Sequence, residues 1–265
     1  MEQNFWEEYI APARIFGNLY FVGTRPASTH LIDTGDGLIV IDAGFPEALP
    51  QVLENIRTIG FDPSDIKIIL LSHGHYDHAG AALELSRITG AQIYLGAPDL
   101  KMVNGEEDSS LAELFDVKFT QLFTPDVLLG DRDRVALGNT DILCLLTPGH
   151  TDGTLSFFFD VTDGEKTYRA GMFGGAGTNT LTKEFLTSHG LPYSKRDEFL
   201  NSVRRLEDER VEIFLGNHVE NNDTEGKLKR QAAGETDAFL APSEWLEFLR
   251  SRRERLKKVM EGDRK

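Results

Sequence analysis

Apolar positions recur along this chain with two periods, two and about 3.6, and the switching between them marks out its elements. Short apolar runs broken by turns come first, in ARIFGNLYFVG at 13–23 and STHLIDTGDGLIVIDAG at 28–44. The stretch TGDG at 34–37 predicts a hairpin, with Asp36 and Gly37 supplying the positive φ angles of a tight turn. Leu49, Val52, Leu53, Ile56 and Ile59 then form a helical stripe that stops at Gly60. A largely apolar strand follows in DIKIILLS at 65–72, a helix over 78–90 ended by Gly90, and a short strand at 91–96.

Residues 98–126 break the pattern with acidic and polar clusters, and predict a helical insertion or lid. Strand patterning resumes over 133–150, in TLSFFFDV at 154–161 and in EKTYRAGMF at 165–173. A Gly/Thr-rich loop begins after residue 175. Phe199, Leu200, Val203 and Leu206 then mark a helix, and VEIFLGNH at 211–218 a last short strand. Residues 225–233 and 243–261 read as terminal helices. Two batches of strands, each followed by helices, predict two sheets packed face to face with helices outside. No linker, repeat or low-complexity tract divides residues 1–265, which read as one domain.

Composition narrows the function classes. Of 265 residues, 40% are hydrophobic and 27% charged, which suits a soluble globular chain. A formal net charge of −15 repels phosphate backbones and anionic membranes, so the expected partner is a small molecule, not nucleic acid or a membrane. Oligomeric state is left open. The basic run RSRRERLKK at 250–258 lies on helically spaced apolar positions and reads as a solvated helix face. With Met1 as the start, the chain opens without the basic and apolar regions of a signal peptide, so a cytoplasmic protein is expected. A lone cysteine, Cys144, cannot form an intramolecular disulfide, which agrees with a reducing compartment.

The densest chemistry lies in LLSHGHYDHAG at 70–80, where three histidines and an aspartate fall within six positions. Seven histidines scattered over 265 residues would not produce such a cluster as a surface turn. His73 and His75, two apart on an extended turn, can face one ion, while Asp77 and His78 open the next helix and can face a second. Two further histidines sit in the same setting of apolar strand, tight turn, histidine: His150 in TPGHTDGT and His218 in GNH. His30 lies within a strand and reads as a core or edge residue. His189, in SHGLPYS, reads by default as a solvent-exposed loop residue, the alternative being an approach to the site mouth.

This assembly of HxHxDH, a later PGHT and a final strand-end histidine resembles the metallo-β-lactamase superfamily, over about residues 15–230. The resemblance implies an αββα sandwich, in the α/β class, with two zinc ions per chain in a groove along the sheet edges. It implies that His73, His75 and His150 hold the first ion, and that Asp77, His78 and His218 hold the second. Many hydrolases of the superfamily add a bridging aspartate at the end of the strand that here reads TYRAGMF, where this chain has Met172. In that respect it is similar to the third subclass of metallo-β-lactamases, which lack the bridging aspartate and the cysteine ligand. Met172 is then expected to be an apolar wall beside the metals.

The function so implied is a zinc-dependent hydrolase, β-lactamase-like, in which a metal-bound hydroxide opens a cyclic amide and Asp77 orients the nucleophile and shuttles its proton. The alternative is a lactonase or other ester or thioester hydrolase on the same metals, and the remote one is a mononuclear iron sulfur dioxygenase. Two features bear on the antibiotic reading. Gly174 stands where the β-lactamases offer a small hydroxyl residue to the substrate carboxylate, leaving Thr178, Asn179 or Thr180 as substitutes. The expected cytoplasmic location also sits poorly with a resistance enzyme. Cys144, inside an apolar strand, reads as inert core.

Overall fold

The computed structural model describes residues 9–107 and 109–263. Seven strands form the first sheet in sequence order: β1 (Ala13–Phe16), β2 (Leu19–Phe21), β3 (His30–Asp33), β4 (Leu38–Ile41), β5 (Ile66–Leu70), β6 (Gln92–Gly96) and β7 (Val127–Leu129). Neighbours pair antiparallel from β1 to β4 and parallel from β4 to β7. The second sheet holds β8 (Arg134–Leu137), β9 (Thr140–Leu146), β10 (Leu155–Thr162), β11 (Thr167–Met172) and β12 (Ile213–Leu215) in that order. Its pairs are antiparallel except β11 with β12.

Successive side chains of a strand point to opposite faces, so an unbroken apolar run needs a packing partner on both sides. In β4, Ile39 and Ile41 enter the core between the sheets while Leu38 and Val40 face outward to helices. In β10, Phe157 and Phe159 meet that same inner core from the other sheet, and Phe158 faces the opposite way. The outward faces are covered by the helical stripes. α1 (Leu49–Thr58) brings Val52 and Ile56, and α3 (Ala82–Thr89) brings Leu85, against Val40 and Ile69. Between these helices in sequence lies the single-turn α2 (Tyr76–Ala79). Further along come α4 (Leu100–Val103), α5 (Lys183–Ser188), α6 (Ser194–Leu206), α7 (Thr224–Ala232) and α8 (Pro242–Gly262). Phe199 and Val203 of α6, with Trp245 and Leu249 of α8, cover Phe158 and Phe214 of the second sheet. The layering is therefore the expected αββα sandwich.

Four details depart from the sequence reading. The β3–β4 turn takes its positive φ at Gly35 (80°) and Gly37 (124°), not at Asp36. Among the described residues of 98–126 the helices are single turns, α4 and the 3-10 turns Ala97–Asp99 and Ala112–Phe115, tied down by aromatic contacts. Phe115 packs edge-on to Phe45 at 5.0 Å, and Phe119 to Tyr76 at 5.6 Å. β7, only three residues long, completes the first sheet where no strand was predicted. The Gly/Thr-rich stretch after 175 leads into α5, whose N-cap Thr182 accepts from the Phe185 amide. Such short elements carry too few residues for a period to show, and neighbouring chain fixes them.

Met172, expected as an apolar wall of the site, is the last residue of β11. It is fully buried and belongs to the core between the sheets, paired in register with Phe157 and Leu215. Cys144 lies in the same core, and burial pushes its thiol up to about 12, so it stays protonated and unreactive. His30, in β3, is buried as a core residue. Among the described residues no helix is long and apolar enough to cross a membrane.

Candidate metal centre

Three strands deliver the site from their C-terminal ends. β5 runs out at Leu70, and the extended segment Ser72–His75 then carries His73 and His75 into the N-terminus of α2, which bears Asp77 and His78. β9 ends at Leu146, and the Pro-Gly turn after it presents His150. β12 ends at Leu215, three residues before His218. All six residues singled out in the sequence meet in one place.

They meet as two adjoining groups. His73, His75 and His150 offer ring nitrogens within 4.8 Å of one another, and His73 Nε2 lies 3.0 Å from His75 Nδ1. A second such group joins Asp77 and His78 to His73. His218 completes that side: its Nε2 is 3.3 Å from His78 Nε2 and 3.6 Å from Asp77 Oδ2. Asp77 Oδ2 is in turn 3.2 Å from His78 Nε2.

Ring orientation is set from behind. His150 Nδ1 donates to the Gly177 carbonyl at 3.1 Å, and His218 Nδ1 to the Pro26 carbonyl at 2.6 Å. Carbonyls only accept, so both rings carry their proton on Nδ1 and turn a bare Nε2 lone pair inward. His78 Nδ1 rests on Asp42 Oδ2 at 2.9 Å, and His73 Nδ1 on Ser72 Oγ at 3.0 Å. Asp42 also accepts from the Ser72 amide at 2.7 Å and its hydroxyl at 2.8 Å, so one buried carboxylate braces both halves of the cluster. Inward lone pairs this close repel unless a cation or a proton sits between them. The donor set of imidazoles with one carboxylate suits a zinc-like ion, so the residues fit the metal their pattern implies.

Electrostatics follow the same division. Burial lowers His73 and His75 well below the ordinary imidazole range, helped by their neighbouring rings, and brings His150 to about 4. These three are neutral and ready to coordinate. Burial opposes charge on His78 too, but the carboxylates of Asp77 and Asp42 raise it to about 10. A metal entering there takes the place of a proton. Burial alone would raise Asp77, but the imidazoles of His78, His218 and His75 hold its carboxyl well below the usual range.

A second carboxylate does for the first group what Asp42 does for the other. Asp99, at the start of α4, is buried and ties together the two loops that carry His73, His75 and His150. Its Oδ2 accepts from the Gly74 amide at 2.9 Å and the Thr151 hydroxyl at 2.8 Å, and its Oδ1 from the Gly153 amide at 2.6 Å. Burial raises its pKa to about 6 against those three hydrogen bonds. Asp42, Ser72 and Asp99 were not identified in the sequence. The available signal was an aspartate just past an apolar strand, in IDAG and GAPD, which does not reveal where the side chain turns.

Beside His75 and His150 a cavity of about 290 Å³ opens, and His189 lines it. That ring is exposed, stacks on Phe185 at 3.9 Å and holds Nδ1 3.0 Å from the Phe185 carbonyl. Thr180 directs its hydroxyl at the His150 carbonyl, 3.0 Å away, and so braces that loop.

This sandwich, with a histidine-rich cluster along one sheet edge, defines a member of the metallo-β-lactamase superfamily, whose family model matches residues 22–164. The chain belongs to that superfamily. Over nearly all of its length it is similar to subclass B3 metallo-β-lactamases. Native FEZ-1 of Legionella gormanii is 30% identical over 96% of this chain and 97% of its own, with a TM-score of 0.88. BJP-1 of Bradyrhizobium japonicum is 27% identical over 97% and 96%, with a TM-score of 0.86. Among curated relatives, the probable metallo-hydrolase YflN of Bacillus subtilis is 26% identical over 54% of this chain and 56% of its own length. The chain thus spans little more than half of that relative. An N-acyl homoserine lactonase of a Bacillus species is 24% identical over 74% and 82%.

Proposed function

We propose that this protein is a binuclear zinc hydrolase that opens a cyclic amide or ester. One ion is held by His73, His75 and His150, and the other by Asp77, His78 and His218. The observation that carries this reading is the convergence of six donors in two adjoining groups, with the rings of His73, His78, His150 and His218 each held from behind. When bound, the metals supply Lewis acidity toward a carbonyl oxygen and a lowered pKa for water. The chain supplies the rest. Asp77 keeps its Oδ2 ionised at the second group, where it can accept the proton of an attacking water. Asp42 and the Gly177 and Pro26 carbonyls hold the rings against rotation as charge moves.

Cyclic amides of the β-lactam type come first, because solved structures that match nearly the whole chain are β-lactamases. Lactones come second, supported by the likeness to an N-acyl homoserine lactonase across 228 residues. The test is metal analysis of purified protein together with turnover of β-lactam and lactone panels. The expected result is two zinc ions per chain, activity abolished by chelation and restored by zinc. A single tightly held iron, or inactivity of the zinc-loaded protein on both panels, would defeat this reading.

A further inference from the structure

We infer that the cavity beside His75 and His150 selects a substrate whose acyl arm is apolar and uncharged, and rejects one that carries an anionic group. This rests on the hydrolase reading above and names the substrate class of that same site. The apolar lining comes from Pro98, Met102, Phe185 and Leu191, enough to hold a medium-length alkyl or aryl arm.

The charged groups of the wall are already matched, with negative charge in excess. Lys195 is the one lysine or arginine among the described lining residues. Its ammonium lies 2.5 Å from Asp152 Oδ1 and 2.8 Å from Glu198 Oε2, so two carboxylates surround one cation. Glu107, also in the wall, pairs with Lys101 at 3.1 Å. At the end of an arm that runs away from the two metal groups, a substrate carboxylate would meet this excess and find no unmatched lysine or arginine among the described lining residues, which costs affinity by like-charge repulsion.

Of the three hydroxyl side chains in the described wall, Ser109, Thr151 and Thr180, the two threonines are already engaged. Thr151 donates to Asp99, and Thr180 to the His150 carbonyl. At Gly174 a side chain has no room: a Cβ there would lie 2.0 Å from the Leu155 carbonyl oxygen and 2.8 Å from Ser72 Cβ. The site can thus share the fold of enzymes that open β-lactams and still prefer a neutral acyl arm in this cavity.

The experiment compares zinc-loaded protein on two esters with the same leaving group, p-nitrophenyl hexanoate and the mono-p-nitrophenyl ester of adipic acid, at pH 8. The expected kcat/KM favours the neutral arm by at least about tenfold. The double variant Asp152→Asn, Glu198→Gln releases Lys195 and should raise the anionic-to-neutral ratio by about tenfold, a gain that adding Lys195→Met abolishes. Equal kcat/KM for the two esters in the parent protein overturns the inference, as does an unchanged ratio in the double variant. If neither ester turns over, the hydrolase reading falls on these substrates, and selectivity is read from binding of hexanamide against adipamic acid by ligand-observed NMR. Tighter binding of hexanamide then supports the inference, and equal or tighter binding of adipamic acid overturns it.

Discussion

Asp77 is the residue on which metal retention and proton transfer coincide. Its Oδ2 faces both His78 and His218, so Asp77→Asn keeps the shape and removes the charge. Turnover should fall by about 10²- to 10⁴-fold while the ion at His73, His75 and His150 is retained, as read by kinetics and metal analysis of one preparation. Asp99 offers a different test, because it touches none of the six donors and works through backbone amides. Asparagine keeps one acceptor there and turns the other into a donor facing an amide N–H. Asp99→Asn should therefore weaken metal retention by about tenfold or more in chelator competition. The pH dependence of stability has a definite sign. Asp99 titrates near 6 in the folded chain, above its unfolded value, so the native state binds the extra proton between about pH 4 and 6. That contribution is present at acid pH and lost as pH rises through 6. In metal-free protein, wild type should lose up to about 3 kcal/mol relative to Asp99→Asn between pH 4 and pH 7, measured by urea unfolding.

At the scale of elements, the site depends on where strands stop. β5, β9 and β12 each end in a turn that releases the chain from the sheet just before a histidine, so ligand geometry is inherited from sheet geometry. Not every helix reaches that edge, and α3 contributes stability without carrying a site residue. It ends at Gly90, whose φ of 75° is left-handed, and a Cβ there would meet nothing within 4 Å. Gly90→Ala should cost about 1 kcal/mol in denaturant unfolding, purely as backbone strain, and leave metal content unchanged. A change in metal content would mean that α3 is coupled to the site, contrary to its packing.

The whole molecule is held by the layer between its two sheets, and Met172 sits in that layer. Met172→Leu should cost less than about 1.5 kcal/mol, since volume and apolar character are kept. Met172→Asp should cost on the order of 3–5 kcal/mol, because it leaves a charge buried without a partner. Zinc titration should find no tighter second ion in the aspartate variant. Tighter binding there, in a folded protein, would show that this side chain reaches the metals after all.

Much of this protein follows from local pattern alone. The unbroken apolar run LIVI and the triple phenylalanine of β10 require cover on both faces, and the amphipathic stripes of α1 and α6 provide it, so the four layers are implied before any contact is known. The six donors are legible for a similar reason: each follows an apolar strand and a tight turn, a context that leaves a histidine little structural purpose. Tertiary structure alone settled the direction of side chains between distant segments. Asp42 and Asp99 carry the same local signal, an aspartate just past a strand, yet one braces His78 and Ser72 while the other clamps Gly74, Thr151 and Gly153. The fate of Met172 was decided likewise, by strand parity and the register of β11 against β10 and β12, which turn it into the core. Local sequence sets period and propensity, but which neighbour a side chain meets depends on chain segments tens of residues away, and those meet only when the sheets close on each other.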